Sequence, residues 1–600
     1  LCLNPALGWS LKGVGSYSTK YNSRFIFLMY TINNSVELCD RVRYSPLKQH
    51  RAFAVTHRQR EDGKQVHEKM ALTLKNVLIS DEVDPQCIEI LRRNGIDVTK
   101  NTKLSKEELI AEIPKYDGLI VRSATRVTAD VINASNLKII GRAGTGVDNI
   151  DCDAATKKGI IVMNTPGGNT LSAAEHTCAL ICALSRDIPN AVQSMKEGRW
   201  DRKKYMGSEL NGKTLAIIGL GRIGKEVALR MQSFGMKTIG YDPIVPAEVS
   251  AEFGVKWLPL EEIWPQADYI TVHVPLIPQT KNLINEQVFA KCKPTLRVLN
   301  VARGGIIDEQ ALLKALNSNQ CAGAALDVYE EEPPKDYTLA QHPQVIGTPH
   351  LGANTVEAQE RVALEIAEQF VDAVKGKSLF GAINAQALAN ALSQETKPWV
   401  ELGRYLGVVA ATLSENKPQN LQVTSYGSQM ENAGSYLSAA VVAGMLSRTS
   451  VSGCGKCTSL NLINAPVFAK EQGIKVDTKY EADAPAPYVK LVTVTLQSGL
   501  QLSGTTSGAQ SLLVKIQGSL FLVPPTLTGS LLIFKAASSP QLLSSVAVAL
   551  ANAGALAENV SLSTEVGGQR WGVANLTIPP SQQVVQALAS VVQLVVSVAF

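Results

Sequence analysis

Three short stretches of this 600-residue chain carry side chains suited to moving a proton and gripping an anion. They are Asn300-Val-Ala-Arg303-Gly-Gly305, Asp327-Val-Tyr-Glu-Glu-Glu332-Pro333 and Pro349-His350-Leu-Gly352. A guanidinium at Arg303 can form a bidentate pair with a carboxylate. An imidazole at His350 can take or give a proton near neutral pH. A carboxylate at Glu332, set beside that imidazole, favours its charged form. Each alone has a plain reading: a surface ion pair, a structural histidine, a solvated acidic loop. Each stretch, however, follows an apolar run that reads as a buried strand: RVLN, GAAL and QVIGT. Ligands of open α/β sheets collect outside the carboxyl ends of the strands, so the three share one place.

A fourth stretch says what chemistry they serve. In residues 214–242 the run TLAII leads into Gly219-x-Gly221-x-x-Gly224, then a helix-patterned segment, then a second apolar run ending at Asp242. Strand, glycine turn, helix, strand and acid form a dinucleotide site in its expected context. Gly219 allows the tight turn, Gly221 lets the backbone approach a pyrophosphate, and Gly224 lets helix and strand pack closely. The helix N-terminus offers free N–H groups to the phosphates. Asp242 accepts from a ribose diol and repels a 2′-phosphate, so NAD is expected rather than NADP. NAD takes only a hydride from a secondary alcohol, so a base must take the hydroxyl proton. Arg303 would hold the substrate carboxylate and polarise the forming carbonyl. With Glu332 and His350 it makes a complete set for oxidising a 2-hydroxy acid.

The elements that position these groups alternate strand and helix. Strand-like runs recur through residues 71–166, and Ser105 and Glu108 form a capping box in SKEELIAEI. Residues 170–190 read as one long buried helix. The nucleotide-binding half runs over 170–352, and 353–376 reads as an amphipathic helix packing back on the first half. The expected fold is therefore α/β: a doubly wound parallel-sheet NAD domain inserted in a flavodoxin-like substrate domain, 70–169 and 353–376. A linker over 377–398 and an intermediate α/β module over 399–525 follow. Residues 526–600 read βαββαβ, the ferredoxin-like order. Residues 1–69, with eleven Lys/Arg against five Asp/Glu, lack a sustained period and read as an extension outside the folded domains. The net charge of +5 is too mild to indicate nucleic acid, and no run is long enough to span a bilayer. Ten scattered cysteines fit a reducing compartment. Cys454-Gly-Lys-Cys457 has too few partners for a metal or redox site, and no metal is expected.

The motifs GRAGTGVDNID (141–151), NTPGGNTLSAAE (164–175), LNGKTLAIIGLGRIGKEVA (210–228), NVARGGIIDE (300–309), AALDVYEEEPP (324–334) and PHLGAN (349–354) resemble the D-isomer-specific 2-hydroxyacid dehydrogenases, in their long form. The resemblance covers residues 70 to about 600. It implies that His350 is the acid/base, Glu332 its carboxylate partner and Arg303 the carboxylate-binding arginine. It implies NAD contacts from Thr145, Arg222, Ile223, Asp242, Ala302 and Asp327. Arg122, Arg142 and Arg202, the last in WDRKKYMG, resemble anion-binding residues of the branch acting on phosphorylated substrates. The implied reaction is NAD-dependent oxidation of 3-phospho-D-glycerate to 3-phosphohydroxypyruvate, the first step of phosphorylated serine synthesis. A cytoplasmic homo-oligomer, dimer or tetramer, goes with it, as does an ACT-like final domain. Val274 departs from the family's usual threonine. The loop Lys535-Ala-Ala-Ser-Ser-Pro540 lacks the His, Asn and Gly of serine-inhibited relatives, so a structural or oligomerising tail is expected. A glyoxylate/hydroxypyruvate reductase and an NAD(H)-sensing corepressor-like protein share the triad; the basic residues and C-terminal modules argue against them.

Overall fold

The computed structural model describes residues 72–414, 418–448 and 460–600. The extension 1–69 and the Cys454–Cys457 pair lie outside the described residues.

The first sheet contains β1 (Asn76–Ile79), β2 (Asp97–Lys100), β3 (Gly118–Val121), β4 (Ile139–Arg142) and β5 (Ile161–Asn164). Its order β2-β1-β3-β4-β5, all parallel, is the flavodoxin-like order. The inner strand β3 and the strand β5 are buried along their whole length because helices cover both faces. One covering helix, Val356–Val374, comes from beyond the nucleotide half and sets Val362, Ile366 and Phe370 into that core. The Ser105–Glu108 capping box forms, with Ser105 N–H to Glu108 at 2.8 Å and Glu108 N–H to Ser105 at 3.2 Å.

The second sheet contains β6 (Thr214–Ile218), β7 (Lys237–Tyr241), β8 (Lys256–Trp257), β9 (Tyr269–Val272), β10 (Arg297–Asn300), β11 (Gly323–Leu326) and β12 (Val345–Gly347). It is parallel throughout, in the order β8-β7-β6-β9-β10-β11-β12. The order reverses between β6 and β9, which places the crevice outside their carboxyl ends. The helix expected over 170–190 is two helices, Thr170–Arg186 and Ile188–Lys196. Asp187 turns left-handed between them at φ 51°. Pro189 has no N–H to give the Ser185 carbonyl, which accepts from Ser208 N–H at 2.9 Å instead. The first helix buries Ala174, Thr177, Ile181 and Leu184 on the sheet but leaves Leu171 exposed.

Beyond residue 376 the chain is more structured than a linker: Gln386–Leu392 and Lys397–Leu413 are helices. The third sheet has β13 (Asn420–Tyr426), β14 (Lys475–Glu481), β15 (Leu491–Leu496), β16 (Gln501–Ser507), β17 (Gln510–Ile516) and β18 (Ser519–Leu520), in the order β14-β13-β15-β16-β17-β18. The last contains β19 (Ser530–Ala537), β20 (Ala557–Leu562), β21 (Gln569–Leu576) and β22 (Leu594–Ala599). Helices Leu542–Asn552 and Gln582–Ala589 complete βαββαβ, and the antiparallel order β20-β21-β19-β22 is ferredoxin-like. One face of this sheet packs on its own helices through Leu532, Phe534, Val546 and Leu588. The other sets Leu531, Ile533, Trp571 and Val573 into the core of the intermediate module, so the two modules share one core.

Candidate active site

The glycine turn has the geometry its spacing implies. Gly219 adopts φ 99°, and a Cβ there would stand 2.6 Å from the His273 carbonyl oxygen. A Cβ on Gly224 would stand 2.0 Å from the Gly219 oxygen, which is the close helix–strand packing expected. Gly221 has no atom within 4 Å of a would-be Cβ, so the backbone is open to a diphosphate. Arg222 and Ile223 begin the helix Arg222–Gln232. Asp242 follows β7 and accepts from Leu220 N–H at 2.8 Å, which draws its carboxylate against the glycine turn. Ile244 and Val245 N–H reach its other oxygen at 2.7 and 3.0 Å. An open glycine edge with an acid at the next strand end fits NAD.

A cleft of about 760 Å³ lies between the two halves. It brings together Arg122, Arg142, Thr145, Ile223, Ala302, Arg303, Asp327, Glu332 and His350. His350 Nδ1 lies 2.7 Å from Glu332 Oε2. An ionised carboxylate can only accept, so Nδ1 carries the hydrogen and Nε2 is left as the basic nitrogen. Burial pushes the Glu332 carboxyl up. The His350 hydrogen bond and charge, the Tyr329 N–H and the Arg303 charge outweigh that and hold it below its ordinary value.

Arg303 spans the cleft: its Nε donates to Asp148 at 2.9 Å and its Nη1 to its own neighbour's carbonyl, Ala302, at 2.6 Å. Arg142, at the end of β4, donates to the Gly146 carbonyl while its Nε has no partner. Burial, reinforced by the Arg303 charge, pushes the Arg142 guanidinium down to about 10, still protonated at neutral pH. Arg122 follows β3, donates to the Glu82 carbonyl at 3.2 Å, and is lowered by burial against the attraction of Asp81. Thr145 donates to Asn169 at 2.6 Å.

Not every expected site residue lies here. Arg202 is exposed and lines no part of this cleft. Gly219, Gly221, Arg222, Gly224 and Asp242 form the separate glycine-turn edge. Two further lining groups are not among the expected site residues: Asp148, which lies inside GRAGTGVDNID, and His273, next to Val274. Burial pushes His273 down to about 4, so it is neutral, with Nε2 3.0 Å from Thr271 Oγ1. Among the described residues, no cluster of His, Cys, Asp and Glu could hold a metal ion, and no helix is long and apolar enough to cross a membrane.

Comparison with known proteins agrees with this geometry. Residues 178–352 match the D-isomer specific 2-hydroxyacid dehydrogenase NAD binding domain, and residues 395–517 match the D-3-phosphoglycerate dehydrogenase intervening domain. The chain is 52% identical to the D-3-phosphoglycerate dehydrogenases of Homo sapiens and Rattus norvegicus over 512 residues, 84% of this chain and 95% of each relative. It is 43% identical over 408 residues to the protein of that name from Synechocystis, 68% of this chain and 72% of that one. The nucleotide half is thus an NAD-binding domain, and the chain belongs to the D-3-phosphoglycerate dehydrogenase family.

Proposed function

We propose that this protein oxidises 3-phospho-D-glycerate to 3-phosphohydroxypyruvate with NAD, the first step of phosphorylated serine synthesis. One observation carries the choice of substrate: three guanidiniums, Arg122, Arg142 and Arg303, line a single partly buried cleft. Adjacent cations in a half-buried site repel one another, so the cleft favours a ligand with two anionic ends. Arg303 binds the carboxylate, and Arg122 with Arg142 holds the phosphate. His350 Nε2 takes the hydroxyl proton, and Glu332, hydrogen-bonded at Nδ1, stabilises the imidazolium that results. NAD, when bound, accepts the C2 hydride. Gly221, with Arg222 and Ile223 at the helix start, would hold its diphosphate, with Gly219 and Gly224 shaping the turn. Asp242 would hold a ribose, and Thr145, Ala302 and Asp327 would contact the cofactor from the cleft. Closure of the two halves excludes water from the cleft.

The protein acts as a cytoplasmic homo-oligomer. Ile188, Val192, Met195, Trp200 and Met206 are exposed along one segment of the nucleotide half and support a subunit contact there. Arg202, in that segment, reaches the partner's substrate cleft. The βαββαβ module is ACT-like and serves assembly rather than serine feedback. The test is NADH consumption with 3-phosphohydroxypyruvate beside hydroxypyruvate and glyoxylate. A strong preference for the phosphorylated substrate is expected; equal rates on all three would replace this reading with a general reductase.

A further inference from the structure

Beneath the His350 turn lies a polar cluster around Asp327 that also takes in His176, a residue outside every motif quoted above. The Asp327 side chain is 1% exposed. Its Oδ1 accepts from Leu351 N–H at 2.7 Å and the Thr348 hydroxyl at 2.6 Å, and its Oδ2 accepts from Gly352 N–H at 2.8 Å. Three elements meet there: Asp327 follows β11, residues 348–352 follow β12, and His176 projects from the helix Thr170–Arg186. His176 Nε2 lies 3.2 Å from Asp327 Oδ1 and 3.2 Å from Thr348 Oγ1.

The hydrogens can be assigned. Burial raises the Asp327 carboxyl, but hydrogen bonds from His176, Thr348, Leu351 and Gly352 outweigh this and keep it low. As a carboxylate it only accepts. The Thr348 hydroxyl hydrogen is committed to it. His176 Nε2 must therefore carry a hydrogen, shared between the two oxygens. His350 sits inside the segment these bonds fix. Its backbone is left-handed, φ 54°, a conformation that β-carbon-bearing residues rarely hold without support. Its N–H donates to the Asp327 carbonyl at 2.9 Å.

We propose that His176 is a positioning residue of the His350 site: its Nε2–H orients the Asp327 carboxylate, which in turn anchors the Leu351–Gly352 backbone that holds His350 against Glu332. This rests on the assignment of His350 as acid/base. Oδ1 carries three of the four partners, so Oδ2, with Gly352 alone, keeps a lone pair for a donor in the cleft that Asp327 lines.

The experiment compares His176→Leu and His176→Gln in the full chain, measuring kcat and KM with NADH and 3-phosphohydroxypyruvate, together with Tm. Outer hydrogen-bond partners of metal ligands are worth about tenfold or more, and the low end of that scale is expected for a partner that acts on His350 through Asp327. His176→Leu should therefore lower kcat about tenfold while KM for the keto acid stays within roughly twofold. His176→Gln places an amide donor near the same position and should restore most of kcat. Wild-type kcat in the leucine variant, with only Tm reduced, overturns the proposal; so does a glutamine variant as slow as leucine. If the leucine variant fails to fold, His176→Asn, whose amide is too short to reach Asp327, should show the same tenfold loss. Wild-type turnover there overturns the proposal. A wild-type protein that binds NADH but reduces no keto acid overturns the His350 assignment and the role of His176 with it.

Discussion

Replacing Gly221 by alanine separates cofactor binding from folding. A methyl at Gly221 meets no atom within 4 Å, and the residue's φ of −68° is open to any amino acid. The fold should be as stable as wild type to within about 0.5 kcal/mol. The open space is where a dinucleotide diphosphate must approach the backbone. A methyl group there overpacks that contact, at a cost of about 1–3 kcal/mol. NADH should bind roughly 5- to 150-fold more weakly. Gly224→Ala is the control with the opposite pattern. Its methyl would stand 2.0 Å from the backbone oxygen of Gly219, so strand and helix must separate. Unfolding free energy should fall by about 1–3 kcal/mol, with binding lost as a consequence. Fluorescence titration with NADH and urea unfolding on both variants give the two numbers. Gly221→Ala binding NADH within twofold of wild type would refute the placement of the diphosphate. A loss of stability matching Gly224→Ala would refute the separation itself.

Three further outcomes test the cleft. His350→Ala should lower turnover at least about a hundredfold, the usual worth of a positioned acid/base, in a steady-state assay; near-wild-type turnover would remove His350 from the reaction. Asp148→Asn should lower KM for the keto acid. The Arg303–Asp148 pair is part-exposed and worth about 0.2–1 kcal/mol, so releasing Arg303 gains at most about fivefold; a raised KM would mean that Asp148 orients Arg303 instead. Asp327 has a folded-state carboxyl held below its ordinary value by its hydrogen bonds against burial. Its contribution to stability is thus present above about pH 4, the unfolded value, and is lost as pH falls through the lower folded value. Urea unfolding at pH 5 and pH 3 should show a larger acid loss for wild type than for Asp327→Asn, and equal losses would contradict the buried network.

The parts of this molecule legible in its sequence are those with a local cause. The glycine turn, the parallel strands and the capping box at Ser105 each depend on residues within one turn or strand, and each forms as its pattern implies. The pairing of Glu332 with His350 was reachable because both follow adjacent strands of one sheet, β11 and β12. What escaped depends on partners distant in sequence. The apolar pattern of 170–190 runs straight across Asp187, whose left-handed turn is coupled to Ser208 taking the Ser185 carbonyl. The helix Gln386–Leu392 is too short and too weakly patterned to separate from a linker, and it is buried through Ala391 in the intermediate module's core. His176 is one histidine among small residues; only the meeting of three elements gives it Asp327.

The charges of the cleft are already answered from within the chain, and this shapes what binding can achieve. Arg303 leans on Asp148, Arg122 on the Glu82 carbonyl and Arg142 on the Gly146 carbonyl, and at the separate glycine-turn edge Asp242 accepts from three backbone N–H groups. A ligand anion that takes one of these guanidiniums can use N–H groups still open, such as Arg142 Nε, but it competes for the charge with the partner already present, so the net gain per contact is moderated. The exchanges differ in kind. Arg122 and Arg142 give up neutral carbonyls for a charged partner, and charge-assisted bonds are about twice as strong as neutral ones. Arg303 gives up a carboxylate for a carboxylate, which is close to even. On the proposed reading, the phosphate end would therefore supply most of the affinity and the carboxylate end would mainly fix orientation. The hydroxyl carbon, held between the two ends, would be presented to His350 only when both are engaged. A substrate lacking the phosphate would still find Arg303 but would be held less firmly in register with Nε2, losing turnover as well as affinity.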